Sequence, residues 1–389
     1  MKSANKKSGI YIHFPFCKVK CGYCDFYSIA NKEHQINDYF KHLHKEIDMF
    51  ANQLNHSYSF NTLFIGGGTP SLASAHNIEK LLTKLNDKFD LSNLEEFTME
   101  ANPGEAPKEL LIDLKSIGVN RISFGFQSLD PEILKFLDRI HSPRDCLNAF
   151  HDARESGIKN INVDMIFNIP NQSIRLIQRD LKQILALGPD HISNYSLTVE
   201  PGTPLYELVN SRKVIMPDEE TDIKMFQMAT DLLGSNGYHQ YEVSNFSKKG
   251  KQCLHNLHYW NLDPYLAFGP SAHGFYNKKR YWNIKDLNYY NQKLESGKLP
   301  IEGSEILETQ NIFNEIILNS LKISEGINMN DIKNRFNQPT FNLLSKKILD
   351  WGTHLEQNRK NIRLTKKGYF IADEITLDLM NSYSSNGLS

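Results

Sequence analysis

The 389-residue chain has no apolar run of membrane-spanning length, which excludes a transmembrane helix read from hydropathy. It has only five cysteines, an odd and sparse set that points away from a disulfide framework and towards a reducing cytoplasm. Acid and base balance to a net charge of −1, so there is no global drive towards nucleic acid or an anionic membrane surface. The N-terminus, Met1 to Lys7, is basic but lacks the apolar core of a signal peptide. The length suits one large domain plus a smaller one.

What is present is concentrated. Three of the five cysteines fall in Tyr11-Ile-His-Phe-Pro-Phe-Cys17-x3-Cys21-x2-Cys24-Asp-Phe26, just after a short apolar run. Thiolates are the usual ligands of iron–sulfur clusters, each iron needing one outside ligand. Three cysteines on one loop can hold three corners of a cubane and leave the fourth iron open to a small chelator. A zinc site is the alternative, but the x3 spacing is unusual for zinc and a fourth ligand would have to come from elsewhere.

The first half of the chain alternates strand and helix signals. Strands are expected at Ile10–Ile12, Thr62–Ile65, Phe97–Ala101, Arg121–Phe126, Ile161–Phe167 and His191–Thr198. Between them run helical patterns, the clearest carrying Ile36, Phe40, Leu43, Ile47 and Phe50 on one face. Six such units in series argue for a parallel barrel or partial barrel. Ligands of these folds sit at the carboxyl ends of the strands. That rule selects the cysteine loop, the run Gly66-Gly67-Gly68-Thr69-Pro70, Glu100, Gln127 and, within the fifth strand, Asp164, with Arg139 a dozen residues after the fourth.

The loop Cys17-x3-Cys21-x2-Cys24 resembles the cluster loop of the radical S-adenosylmethionine (radical SAM) superfamily. The wider Tyr-Ile-His-Phe-Pro-Phe-Cys string resembles its oxygen-independent coproporphyrinogen III oxidases and their HemW-type haem-chaperone relatives. The resemblance implies an α/β fold, a radical-SAM partial (β/α)6 barrel, with a [4Fe-4S] cluster on Cys17, Cys21 and Cys24. It further implies that the amino and carboxylate groups of S-adenosylmethionine (SAM) chelate the open iron. Tyr11, Phe26, Gly67, Gly68, Thr69, Glu100, Gln127, Arg139 and Asp164 match positions that line the SAM pocket. Glu100 could accept from the ribose or amino group, Arg139 could clamp the carboxylate, and Tyr11 and Phe26 could wall the adenine.

A second string follows a chain break at Pro201-Gly-Thr-Pro204: Cys253-Leu-His255-Asn256-Leu-His-Tyr259-Trp260. Histidine is a common haem ligand, and flanking aromatics suit a flat macrocycle, although by composition alone packing of a core is the better explanation of them. His255-Asn256-x-x-Tyr259-Trp260 matches the H-N-x-x-Y-W string that HemW-type chaperones associate with haem binding, with His255 the expected ligand. Two departures from the oxidases point to the chaperone branch. Phe26 stands where they carry a fourth cysteine, and the chain begins only ten residues before Tyr11.

Three regions are expected: a barrel over 1–235, a connecting segment with the haem-associated motif over 236–300, and a smaller, mainly helical winged-helix-like domain over 301–389. Lysines in the last are scattered among acids, so nucleic acid is not expected. The reading is a cytoplasmic haem chaperone that delivers haem to acceptor haemoproteins, holding a cluster and SAM. The competing reading is radical oxidative decarboxylation of coproporphyrinogen III. Dimerisation through the cluster loop, and peripheral membrane association through a respiratory, membrane-bound acceptor, are compatible with both.

Overall fold

The computed structural model describes residues 7–54 and 58–385; Met1 to Lys6, part of the basic N-terminal stretch, lie outside them. The six expected strands are present: β1 Lys7–Phe14, β2 Ser59–Gly67, β3 Glu96–Ala101, β4 Arg121–Gln127, β5 Asn160–Phe167 and β6 His191–Ser196. Each pairs in parallel with the next. The helices between them start where polar side chains satisfy free backbone N–H groups. Ser74, Asp130 and Ser173 accept such bonds, and Ser142 forms a capping box with Asp145.

The sheet does not stop at six strands. β7 His239–Gln240 and β8 Asn245–Ser247 continue it antiparallel beyond β6. On the other edge, β9 Tyr265–Phe268 lies parallel to β1, followed antiparallel by β10 His273–Tyr276, β11 Lys279–Asn283 and β12 Ile301–Ile306. The 12-stranded order is β12-β11-β10-β9-β1-β2-β3-β4-β5-β6-β8-β7. Segment 236–300, expected to connect two domains, thus builds strands on both edges of the barrel sheet. The alternating run His239–Asn245 folds as two short strands joined by a turn.

Period-two alternation divides each strand between two environments. Ile10, Ile12, Phe14, Leu63, Ile65, Phe97 and Met99 face the surrounding helices in one apolar core. Ile122, Phe124, Ile161, Val163 and Met165 join a second. The intervening residues, among them Tyr11, His13, Thr62, Glu96, Glu100, Arg121 and Asp164, face the barrel interior, which is therefore polar and aromatic. Residues from Phe313 to Leu379 form a separate core. It is built from helices Thr309–Lys322, Met329–Arg335, Gln338–Asp350 and Ala372–Met380 with a three-stranded sheet, so the winged-helix-like arrangement of helices and hairpin is present.

One buried carboxylate ties the first barrel helix to the added strands. Glu46, on Ile36–Ala51, is 1% exposed. It accepts from the Gly269 N–H at 2.8 Å, the Tyr290 hydroxyl at 2.6 Å and Asn283 Nδ2 at 2.5 Å. Glu46→Ala strands the Gly269 N–H and the Tyr290 hydroxyl, while Asn283 Nδ2 keeps the Gly269 carbonyl at 2.9 Å, and each donor left unpaired costs about 1–3 kcal/mol. A clearly lower urea midpoint is expected; an unchanged one would show that water replaces the carboxylate.

Candidate functional site

The cysteine loop leaves β1 at its carboxyl end and is closed by a short parallel pairing of Phe16–Cys17 with Ile29–Ala30. Its far side is held by two neighbours. Gly22 N–H donates to Asp138 Oδ2 at 3.0 Å, and Leu205 N–H donates to the Gly22 carbonyl at 2.9 Å. All three thiols are free. Among the described residues no three His, Cys, Asp or Glu side chains converge as ligands of a single ion do. A cubane asks for something else, since each cysteine holds a different iron. Burial, and then the neighbouring thiols, raises Cys17, and Cys24 to about 11. Three thiolates so placed would repel, and a cationic iron core relieves that repulsion. The donor set fits a cluster.

The glycine run lies beside this loop. Gly68 N–H donates to the Phe14 carbonyl and Thr69 N–H to the Phe16 carbonyl, both at 2.7 Å. The Thr69 hydroxyl reaches Cys17 Sγ at 3.6 Å. A Cβ on Gly68 would sit 2.5 Å from the Phe16 carbonyl oxygen, and one on Gly66 2.8 Å from the Glu100 carboxylate. Only glycines allow the strand end, the cysteine loop and Glu100 to approach this closely. Gly67 has φ +112°, and its N–H donates to Glu100 Oε2 at 3.0 Å.

Glu100 and Asp164 face each other's charge inside the barrel. Burial, then Asp164, pushes Glu100 up to about 7; burial also raises Asp164, although Asn162 and Ser123 bond it at 2.8 and 3.2 Å. Arg139 is not free to clamp a carboxylate with its fork. One terminal nitrogen reaches Cys21 Sγ at 3.6 Å, and the other donates to Asn102 Oδ1 at 2.5 Å and the Gly125 carbonyl at 2.8 Å. Its Nε is buried without a partner. Arg139 thus braces Cys21. Gln127 stands beside Gly125 with φ +68°, and Phe26 on the loop is 63% exposed.

Sequence reading missed His13 and Asn102. His13 Nε2 bonds the Tyr27 carbonyl at 2.8 Å and Nδ1 the Tyr11 hydroxyl at 3.1 Å. Asn102 Nδ2 donates to Thr69 and Glu105, both at 2.9 Å. Both lie two residues beyond residues already singled out, Tyr11 and Glu100. The inward period of the strand was the signal.

His255-Asn256-x-x-Tyr259-Trp260 lies elsewhere. It forms the helix Leu254–Trp260 at the opposite end of the strands. Glu96, the first residue of β3, caps that helix by accepting from the N–H groups of Leu254 and His255 at 2.9 and 3.1 Å. His255 is fully buried, packed on Phe64 at 5.2 Å. Nδ1 bonds the Thr62 hydroxyl at 2.8 Å and Nε2 the Tyr259 hydroxyl at 2.9 Å. Neither nitrogen has a lone pair free for iron in this arrangement. Tyr259 passes the contact on, its carbonyl accepting from Asn319 of the C-terminal unit at 3.1 Å. Asn256 and Trp260 are partly buried on the same helix, and Trp260 Nε1 has no partner.

A parallel six-unit barrel with a three-cysteine loop and glycine run on its carboxyl ends defines a radical SAM domain. The Radical SAM superfamily model matches residues 11–184. The chain belongs, within it, to the family of the heme chaperone HemW. A Bacillus subtilis protein of that name is 31% identical over 378 residues, covering 96% of this chain and 98% of its own. The Escherichia coli heme chaperone HemW is 41% identical over 268 residues, 68% of this chain and 69% of its own. In three dimensions the E. coli coproporphyrinogen III oxidase, described as a radical SAM enzyme, superposes with TM-score 0.83 at 20% identity. That match covers 97% of this chain and 91% of the oxidase, and it shows the shared fold.

Proposed function

We propose that this chain binds haem and passes it to haem-requiring acceptor proteins, with a [4Fe-4S] cluster on Cys17, Cys21 and Cys24 and SAM beside it. The observation that carries the reading is full-length similarity to proteins named heme chaperone. Phe26, where the resembling oxidases have a further cysteine, supports it against coproporphyrinogen oxidation. Bound, the cluster supplies an open iron that can anchor SAM and donate an electron to it. Gly67, Gly68 and Thr69 offer a close backbone edge, Glu100 and Asp164 the acceptors, and Tyr11 and Phe26 the aromatic surfaces. No helix among the described residues is long and apolar enough to cross a membrane. As a cytoplasmic protein it would meet membrane-bound respiratory acceptors at their surface. A homodimer through the cluster loop is part of it, since Val19 and Phe26 are 42% and 63% exposed there.

The test is transfer. Haem-loaded protein mixed with an apo-b-type cytochrome should lose its Soret signal as the acceptor's grows, faster than free haem is taken up. Conversion of coproporphyrinogen III with SAM, and no transfer, would move the chain to the oxidases.

The SAM site carries its own pH signature. Because Glu100 is pushed up to about 7, the accepting carboxylate is present above that pH and lost below it. SAM affinity of cluster-loaded protein should be flat above pH 7 and fall by up to about tenfold per pH unit below it. Glu100→Gln should bind weakly at every pH. A wild-type affinity independent of pH between 5.5 and 8 would remove Glu100 from the SAM site.

A further inference from the structure

Resting on the haem reading above, we propose that His273, not His255, is the residue that ligates haem iron, with the macrocycle lying against Trp282 where β10 begins. Register places His273 opposite Trp282 and Phe275 opposite Tyr265 and Arg280. These side chains therefore share one face. The opposite face, through Tyr281 and Phe268, packs into the helix-covered core. β9 pairs Tyr265 with Gly9 and Ala267 with Tyr11, so the face runs without a break into the barrel interior. His273 and His13 are near enough to feel each other's charge.

His273 is exposed, and its ring nitrogens bond to no described residue. Its ring stacks on Trp282, with centroids 6.1 Å apart and planes 22° from parallel. The indole can lie there because the facing residue on β12 is Gly303, where a Cβ would come within 2.3 Å of the Trp282 ring. An accessible imidazole with free nitrogens is what an axial haem ligand needs. The indole of Trp282 supplies flat apolar area for a tetrapyrrole, while Phe275 is buried and Tyr265 packs on Tyr259 at 4.7 Å. Arg280, on the same face, is already held by Glu305 at 3.0 Å and Glu315 at 2.6 Å. Arg280 is therefore not free to pair with a carboxylate of the macrocycle. His255 has aromatic neighbours but neither access nor a free nitrogen, being sealed and doubly bonded.

Haem is titrated anaerobically into the wild-type full chain and into His273→Ala, Gly303→Val and His76→Ala, the last an exposed histidine outside this face. Soret absorbance and the spin state of the iron are followed. His273→Ala should weaken binding roughly tenfold or more and shift the Soret band, because a coordinate bond is lost. Added imidazole should restore the wild-type band. Gly303→Val should weaken binding while leaving the band in place, and His76→Ala should match wild type. Wild-type affinity and spectrum in His273→Ala would overturn the His273 assignment and leave haem binding standing. Failure of the wild-type chain to bind haem saturably would overturn both.

Discussion

A His255→Ala variant is expected to unfold at clearly lower denaturant while its folded fraction keeps the wild-type Soret band. The side chain fills the closed end of the barrel between Gly9, Thr62 and Phe64. Gly9 is so close that a Cβ there would sit 2.9 Å from the imidazole. Removing the ring leaves a cavity under Phe64 and takes partners from the Thr62 and Tyr259 hydroxyls. Cavity and orphaned groups together should cost about 3 kcal/mol or more. The damage extends further, because Tyr259 links the helix to Asn319 of the C-terminal unit. A haem-binding defect in this variant would thus follow loss of fold, and circular dichroism on the same samples separates the two. Unchanged stability with a displaced Soret band would return His255 to the iron.

Gly68→Ala is expected to deplete the protein of iron. The added methyl would meet the carbonyl oxygens of Phe16 at 2.5 Å and Phe14 at 2.9 Å. These are backbone atoms, which cannot turn aside as a side chain can. The same carbonyls accept from Thr69 and Gly68, so relief of the clash breaks the two bonds that hold the cysteine loop against β2. Overpacking of this kind costs about 1–3 kcal/mol, and here the strain falls on the residue next in sequence to Phe16, Cys17, the first of the proposed cluster ligands. Iron and sulfide per chain after reconstitution should fall well below wild type, with the far-UV spectrum little changed. Full cluster loading would mean that the loop can move away without losing its geometry. Gly234→Ala, at a glycine that likewise lacks a positive φ and where an added Cβ meets nothing within 4 Å, controls for the loss of a glycine without a clash.

Much of the barrel was legible along the chain because its determinants are local. A parallel strand covered by helices is apolar on its outer face, as Leu63 and Ile65 or Ile122 and Phe124 are, and each helix carries its own stripe and cap. The cysteine loop and glycine run were legible for the same reason. Their chemistry is packed into a few consecutive residues, and their placement follows from the rule that such loops gather at strand carboxyl ends. The placement of Arg139 was legible but its contacts were not. Its position a dozen residues past β4 says nothing of Cys21, which lies 118 positions earlier and meets it only in the folded chain.

The same distinction separates the two histidines. His255 stands in a string that matches a family motif and His273 in one that does not, yet their availability to a ligand is set by strand pairing between distant segments. β9 pairs with β1 across more than half the chain; that pairing buries His255 beneath Tyr11 and Phe64 and opens the face bearing His273. Local patterning determined the six β/α units, the cluster loop, the glycine edge and the helical C-terminal unit. Long-range register decided which end of the barrel is closed, which carboxylates face each other and which imidazole is free, because burial and hydrogen-bond partners belong to pairs of segments and no single stretch of sequence contains both.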